Sequence, residues 1–520
     1  MVFAKRLLSI TLAGAMTASL AGCKNDDTSS KEEATTTAPI VESVGDLDYS
    51  DVPISLNAVA VDEVFEAENG QLSASITTAQ EEDVTYVTGF TGEELTIDFE
   101  LDIPSTGFYD LAFISRGTTS SISNTVYIDG ELAGRFLSTV LGFKEETVPN
   151  VFIAEGTHTL TVETKEGGFE MDKFSIKSLP ARTNDISYEV SKELSNPNSN
   201  DITRRLYSFL CDTYGKYILS GQHADKGEES REMYLINKHT GKVPAILSLD
   251  LINASPSRVA MGGTSGAQAK LSAKTFWNDG GIISMCWHWN APEDYLEKGS
   301  EPWYSGFYTK ATTFNLKAAL DGTDPAGYDL LIRDIDAIAA EIKELEEAGI
   351  PLLWRPLHEA SGGWFWWGAS GAEAYKELWV LLYDRLTNYH QCNNLIWVWN
   401  GQSADWYPGD EYCDIVSWDI YATNHDYSSQ SETFHELMNI PSENKIVTLS
   451  ENGVLFDPDL AMADGCRWAW FAVWSGDFVV AQNTGYNEGY TELYMLEKVY
   501  AHDRVLTRDE LPDIKCYPMN

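Results

Sequence analysis

Pro351-Leu-Leu-Trp-Arg-Pro-Leu-His-Glu359, followed by Ala-Ser-Gly-Gly-Trp364-Phe-Trp366-Trp367, is an apolar run that ends in a His-Glu pair beside three tryptophans. A run too continuous to alternate needs cover on both faces, which a parallel sheet wrapped in helices provides. Seven further runs of this kind follow residue 200. They are Tyr217-Ile-Leu-Ser-Gly-Gln-His223, Val243-Pro-Ala-Ile-Leu-Ser-Leu-Asp250, Gly281-Ile-Ile-Ser-Met-Cys-Trp-His288 and Leu395-Ile-Trp-Val-Trp-Asn400. The last three are Ile415-Val-Ser-Trp-Asp-Ile-Tyr421, Lys445-Ile-Val-Thr-Leu-Ser-Glu-Asn452 and Trp468-Ala-Trp-Phe-Ala-Val-Trp-Ser475. Helical patterns at 229–239, 329–348 and 372–389 lie between them. Eight strand–helix units over residues 201–520 predict a (β/α)8 TIM barrel. No Gly-x-Gly-x-x-Gly follows a run, so a nucleotide-binding sheet has no local support.

Polar residues sit where the runs end. His223, Asp250, His288, Glu359, Asn400, Asp419, Tyr421 and Glu451 all fall at C-terminal ends, and in a barrel those ends open on one face. Glu359 closes the fourth run and Glu451 the seventh, which sets them across the mouth from each other. Cutting a glycosidic bond needs an acid for the leaving oxygen and a carboxylate for the oxocarbenium-like centre. Aromatic cover and the charge of Glu451 are expected to raise the pKa of Glu359. Tryptophan suits such a site, because sugar C–H faces stack on rings while the hydroxyls need directed hydrogen bonds. All sixteen tryptophans lie at or after Trp277. Trp354, Trp397 and Trp470 fall mid-run and are expected inside the barrel, whereas Trp289, Trp303, Trp366, Trp367 and Trp406 are expected to line subsites. His223, His288 and His358 could instead gather round a metal, which two-carboxylate hydrolysis does not require.

Arg355-Pro-Leu-His-Glu359 and Leu449-Ser-Glu-Asn452 resemble the corresponding motifs of glycoside hydrolase family 26 in clan A, most of whose members are endo-β-1,4-mannanases. The resemblance spans roughly residues 205–500. It implies that Glu359 is the acid/base and Glu451 the nucleophile of a retaining mechanism. By the same resemblance Tyr421 holds the nucleophile through its hydroxyl, and His358 bonds the nucleophile or a sugar hydroxyl. His223, His288, Trp364, Trp474, Asp250, Arg355 and Asn400 are the implied substrate-binding set, with Arg355 also ordering the carboxylates from beneath. No cofactor is implied for catalysis. The implied substrate is a neutral β-mannan: mannan, glucomannan or galactomannan. Open alternatives are a β-1,3-1,4-glucanase, a xylanase or an exo-acting mannobiohydrolase, with endo or exo action set by a loop such as Ala291–Phe307. A non-catalytic glycan-binding surface lipoprotein is the remote alternative, and it is disfavoured because both carboxylates are present.

Residues 60–178 carry short alternating runs separated by turns, with Asp129-Gly130 the clearest hairpin signal, and predict a β-sandwich. Phe65-Glu-Ala-Glu-Asn-Gly70 and Glu170-Met-Asp-Lys-Phe-Ser-Ile176 resemble carbohydrate-binding modules of families 35 and 6. That resemblance implies a structural calcium held by Glu66, Glu68 and Asp172, with Phe169 near the usual sugar platform. Residues 179–200 are a linker, and 201–520 form the catalytic domain.

The chain has 36 Lys and Arg against 79 Asp and Glu, a formal net charge of -43. Such a surface repels nucleic acid, anionic membrane and acidic polysaccharide, and is compatible with a neutral polymer. Lys5 and Arg6 precede an apolar run, Leu7–Leu20, too short to cross a bilayer and right for a signal peptide at 1–22. Leu20-Ala-Gly-Cys23 resembles a bacterial lipobox, which implies lipidation of Cys23, a tether over 23–59 and a lipid-anchored, monomeric protein at the cell surface. The other six cysteines show no metal-knuckle spacing. Cys286, Cys413 and Cys466 are expected to be buried small hydrophobes.

Overall fold

The computed structural model describes residues 47–519 apart from 49–54, 93–94, 166, 181, 184–185, 297–299 and 482–484. The expected signal peptide, Cys23 and most of the expected tether lie outside the described residues.

The N-terminal part is two antiparallel sheets packed as a sandwich. One carries, in spatial order, Lys144–Ile153, Gly107–Gly117, Phe169–Ser178, Val84–Thr88 and Thr77–Glu81, with Asp62–Glu66 also paired to Phe169–Ser178. The other carries Gln71–Leu72, Leu95–Ile103, Gly156–Thr164, Ile122–Ile128 and Glu131–Ser138. Strict alternation along Gly107–Gly117 buries Leu111 and Phe113 on the inner face, as a half-covered sheet requires. Phe169 is 0% exposed and packs on Phe90 at 4.9 Å and Phe136 at 6.2 Å. It is core, and no sugar platform. Two residues, Pro149 and Asn150, oppose one where Lys144–Ile153 pairs with Gly107–Gly117, a bulge that turns Asn150 outward with φ at 56°.

The C-terminal part is a curled parallel sheet in sequence order: β1 (Gly221–His223), β2 (Ile246–Asp250), β3 (Ile282–Trp287), β4 (Leu352–Pro356), β5 (Leu395–Trp399), β6 (Ile415–Ile420) and β7 (Ile446–Asn452). Neighbours register as Ile246 beside Ile282, Leu352 beside Leu395 and Val416 beside Val447. The expected eighth strand is no continuous ladder. Residues 468–474 close the ring through isolated bridges, Trp470 to Leu219 and Val473 to both Gln222 and Asn452. On one side Val473 O accepts from His223 N (2.9 Å); on the other, Asn452 O accepts from Trp474 N (2.9 Å). The irregularity begins at Ser220, whose N–H turns away to Leu506 O (3.0 Å) and divides the first run in two. Gly221 is needed there: a Cβ would stand 2.3 Å from Phe471 O.

Helices cover the sheet near the expected places. Arg231–Thr240 is capped by Ser230 and stopped by Gly241 at φ 70°. Pro325–Glu347 starts four residues before the expected 329 because Asp324 caps it and Pro325 fits its first position. Ala372–Tyr383 widens into a π-helix over Asp384–Tyr389. Cys286, Cys413 and Cys466 are buried, as is Cys392. Phe108 and Leu179 of the sandwich pack on Leu460 and Ala463 of the barrel, so the two parts share a seam.

Candidate active site

β4 delivers Glu359 through an unusual backbone. Leu357 and Glu359 both take positive φ, 53° and 54°, a left-handed conformation that costs a side-chain-bearing residue about 1–3 kcal/mol. Asn400, at the end of β5, holds it in place: the Glu359 N–H donates to Asn400 O (2.7 Å) and to Asn400 Oδ1 (3.2 Å). Asn400 Nδ2 donates in turn to Asp419 Oδ1 (2.8 Å) and Ser417 Oγ (3.1 Å). Asn400 is fully buried with its amide engaged. It acts here as a brace under the Glu359 backbone, where a sugar contact was expected.

Glu451 is aimed by a bulge. Trp418 pairs with Leu449 but Asp419 pairs with Glu451, so Ser450 is the extra residue and Glu451 is set beside Asp419. Beneath both lies Arg355, whose Nη1 donates to Asp419 Oδ2 (2.8 Å) and whose Nη2 donates to Glu451 Oε1. The Tyr421 hydroxyl donates to Glu451 Oε2 at 2.8 Å. Both oxygens of Glu451 therefore carry a donor, each keeping a second lone pair. Burial works to raise the Glu451 pKa, but Arg355, His223, His288 and the Tyr421 hydroxyl outweigh it, and the group sits below the ordinary carboxylate value.

Glu359 goes the other way. Burial and repulsion from Glu451 hold it above its ordinary value, against smaller opposing effects of Arg355, the Trp364 indole and His288. Trp364 Nε1 donates to Glu359 Oε2 at 3.0 Å, and the ring is 45% exposed. It lies against Gly362, where a Cβ would come within 2.0 Å of Trp364 Cζ3. One carboxylate oxygen from each of Glu359, Asp419 and Glu451 lies within 4.8 Å of the others.

Two of the histidines pair, with no three-histidine cluster among the described residues. His288 Nδ1 meets Asp250 Oδ2 at 2.7 Å, and its backbone N–H donates to Asp250 Oδ1 at 3.0 Å. His288 Nε2 faces His358 Nε2 at 3.1 Å. Burial would lower the His288 pKa, but Asp250 outweighs it and the ring sits above the usual value. Burial, Arg355 and His288 keep His358 neutral, well below it. His358 thus partners His288 and not Glu451, and its buried Nδ1 has no protein partner among the described residues. Asp250 orients His288, where the sequence had it touching sugar. His223 directs Nε2 to Ser450 O (3.1 Å), with its ring 4.6 Å from that of Trp474.

Three loop tryptophans are internal. Trp289, Trp366 and Trp367 are buried, their indole N–H groups donating to Asp334 Oδ2 (2.9 Å), Trp289 O (2.6 Å) and His358 O (2.9 Å). They build the wall behind His358, while Trp303 and Trp406 stay partly exposed. Sequence reasoning left Asp419 without a role and passed over Gly362, Phe307 and Phe365. The Phe307 ring lies 5.1 Å from that of His288, and the Phe365 ring 5.1 Å from that of His358. Only the strand-end position of Asp419 could have flagged it.

Residues 195–510 match the family model described as Glycosyl hydrolase family 26, and residues 63–179 match Carbohydrate binding module (family 35). The chain belongs to glycosyl hydrolase family 26. It is 40% identical over 452 residues to the mannan endo-1,4-beta-mannosidase of Thermothelomyces thermophilus, covering 86% of this chain and 90% of that one. The crystal structure of a Podospora anserina GH26-CBM35 beta-(1,4)-mannanase superposes with a TM-score of 0.60 at 38% identity, covering 86% of this chain and 98% of that one. A beta-mannanase from a symbiotic protist of the termite Reticulitermes speratus, solved with a gluco-manno-oligosaccharide, gives 0.55 at 32% identity, covering 63% of this chain and all of that one. The family 26 barrel and its family 35 module thus occur together in this chain, as in the Podospora protein.

Proposed function

We propose that this protein is a retaining endo-β-1,4-mannanase acting on mannan, glucomannan or galactomannan, with Glu451 as nucleophile and Glu359 as acid/base. The observation that carries the reading is that one carboxylate oxygen of Glu359 and one of Glu451 lie within 4.8 Å of each other, an approach on the side of the shorter separation. Retaining glycosidases hold the pair about 5–5.5 Å apart, whereas inverting ones need about 6.5–9.5 Å to admit a water between them. In the first step a Glu451 oxygen bonds to the anomeric carbon as the glycosidic bond breaks, and the Glu359 proton passes to the departing oxygen. In the second, Glu359 takes a proton from water, whose oxygen displaces Glu451. The opposite pKa directions of the two groups suit this division. The named activities of the relatives support mannan over glucan or xylan, and endo over exo action.

The leader and lipobox-like Cys23 support an exported protein anchored to the bacterial cell surface by lipid, with the tether giving the barrel reach. In the module, the Lys173 ammonium lies 3.7 Å from Glu66 and 3.6 Å from Asp172, while Glu68 Oε2 is buried without a partner among the described residues. A calcium ion held by Glu66, Glu68 and Asp172 would therefore have to displace Lys173.

The test is a product profile of the protein against glucomannan, galactomannan, lichenan and xylan. Mixed manno-oligosaccharides are expected. Mannobiose alone would replace endo with exo action, and cleavage of lichenan or xylan alone would overturn the mannan assignment. A second expectation concerns Gly362→Ala, whose methyl group displaces the Trp364 ring from Glu359. A hydrogen bond between neutral groups is worth about 0.5–1.5 kcal/mol, so kcat/KM should fall by about threefold to tenfold with the thermal unfolding midpoint little changed. Unaltered kinetics would show that Trp364 does not act through Glu359.

A further inference from the structure

With Phe169 inside its core, the module has no sugar platform at that position, but it shares a crevice with the barrel. A hollow of about 480 Å3 lies between Glu131–Ser138 and Lys144–Ile153 of the sandwich and, from the barrel, the loop after β6, the start of Pro458–Asp464 and the first turns of Leu493–Ala501. A second hollow of about 380 Å3 continues it, and Asn150, Ser428 and Leu460 line both. Volumes of this size fall in the range of ligand sites, and the shared lining makes the two hollows neighbours.

We infer that this crevice is a second glycan-binding site, taking a neutral β-1,4-linked polysaccharide strand and built jointly by the module and the catalytic domain. Its lining is amphipathic in the way sugars require. Phe152, 37% exposed, faces it from the sandwich, and Tyr427 and Tyr494 face it from the barrel with ring centres 6.0 Å apart at 86°. The bulge sends Asn150 into the crevice, and among the described residues its side chain has no protein hydrogen bond. Asparagine takes the left-handed conformation more readily than other side-chain-bearing residues, and here it turns an amide donor and acceptor to the crevice.

The charges point to an uncharged ligand. Arg135 lies 3.9 Å from Glu492 and 5.6 Å over the Tyr494 ring, and Lys498 is held by Asp457 (2.8 Å) and Asp459 (2.9 Å). Both cations of the crevice are therefore matched by carboxylates, leaving no surplus positive charge for an anion. The segment from Tyr421, which bonds Glu451, to Tyr427 on the crevice wall reaches at most about 22 Å. One polysaccharide strand is long enough to occupy the cleft and the crevice together.

Mannan as the ligand rests on the proposed function, and the test separates the two. The full chain carrying Glu451→Gln, which keeps substrate intact, is titrated calorimetrically with mannohexaose, cellohexaose and xylohexaose. Two binding events are expected with mannohexaose, of which Tyr494→Ala, or separately Asn150→Ala with Phe152→Ser, removes one. In the otherwise wild-type enzyme the same crevice variants should raise KM for glucomannan at least threefold, leaving kcat/KM for mannotetraose unchanged. A single event with every probe, or two events that both survive the crevice variants, would overturn the crevice site. Two events with cellohexaose or xylohexaose alone, with the second lost in the variants, would uphold the site and overturn mannan as its ligand. Two independent variant sets guard against misfolding of either.

Discussion

Glu451→Gln is expected to reduce kcat on glucomannan by about four orders of magnitude or more, the scale on which loss of a nucleophile acts in other covalent hydrolases. The amide keeps the shape of the carboxylate and its contact with Tyr421, so binding should survive where turnover does not. Glu359→Ala should behave differently. It removes a proton donor, a loss of about 10²–10⁴ on substrates whose leaving oxygen must be protonated. On an aryl mannoside with an acidic phenol the first step needs no such proton. A burst of phenol should then precede a slow steady state limited by hydrolysis of the glycosyl-enzyme. The wild-type pH profile should be bell-shaped: activity falls in acid as Glu451 gains a proton and in alkali as Glu359 loses one. The first pKa lies below and the second above the ordinary carboxylate value. In Glu359→Ala the alkaline limb should vanish and the acid limb remain. Comparable activity in wild type and either variant would remove that glutamate from the mechanism.

Arg355→Met should be the most destabilising single change in the site. The guanidinium is buried and shared by Asp419 and Glu451. Asp419 is held well above its ordinary pKa by burial, so the removal falls chiefly on Glu451, left as a buried charge without its cation, a loss of about 3–5 kcal/mol. The sign with pH follows from Glu451. Its folded pKa lies below the unfolded one, so its ionisation adds stability above the unfolded carboxylate pKa and loses it as pH falls through the folded pKa. The deficit of the variant should therefore be largest near neutral pH and shrink in acid. Any residual activity should show its acid limb displaced upward, because burial is no longer opposed. Arg355→Lys should recover little, since one ammonium cannot make the forked contact to two carboxylates. Urea unfolding at pH 5 and pH 7 would decide; equal deficits at both pH values would mean that Glu451 ionisation does not depend on Arg355.

Much of this site was legible in the chain, and what was missed has a common cause. Continuous apolar runs announce parallel strands because burial on both faces leaves no polar alternation, and the carboxylates stood out because barrel chemistry collects at strand ends. Residues such as Asp250 and Asn400 also stand at strand ends. Whether they touch a ligand or brace a neighbour depends on what the adjacent strand places beside them. Asn400 braces Glu359 because β5 sets it there, and Asp250 meets His288 across β2 and β3. The bulge at Ser450 is equally silent in sequence, although it decides that Glu451 comes level with Asp419. Loop tryptophans misled for a related reason: the loops fold back over the barrel mouth, so Trp366 and Trp367 become interior though no strand contains them. The eighth strand failed as a regular element where its partner, the first apolar run, is itself divided at Ser220.

The left-handed backbone at Glu359 sets two kinds of selection against each other. Glycine at that position would release the strain, and glycine has no carboxyl group to offer. A lineage screened only for thermal endurance would drift towards relaxing residue 359, and one screened for turnover would be held away from it. The strain at Glu359 is a cost that its proposed acid/base role obliges the barrel to keep.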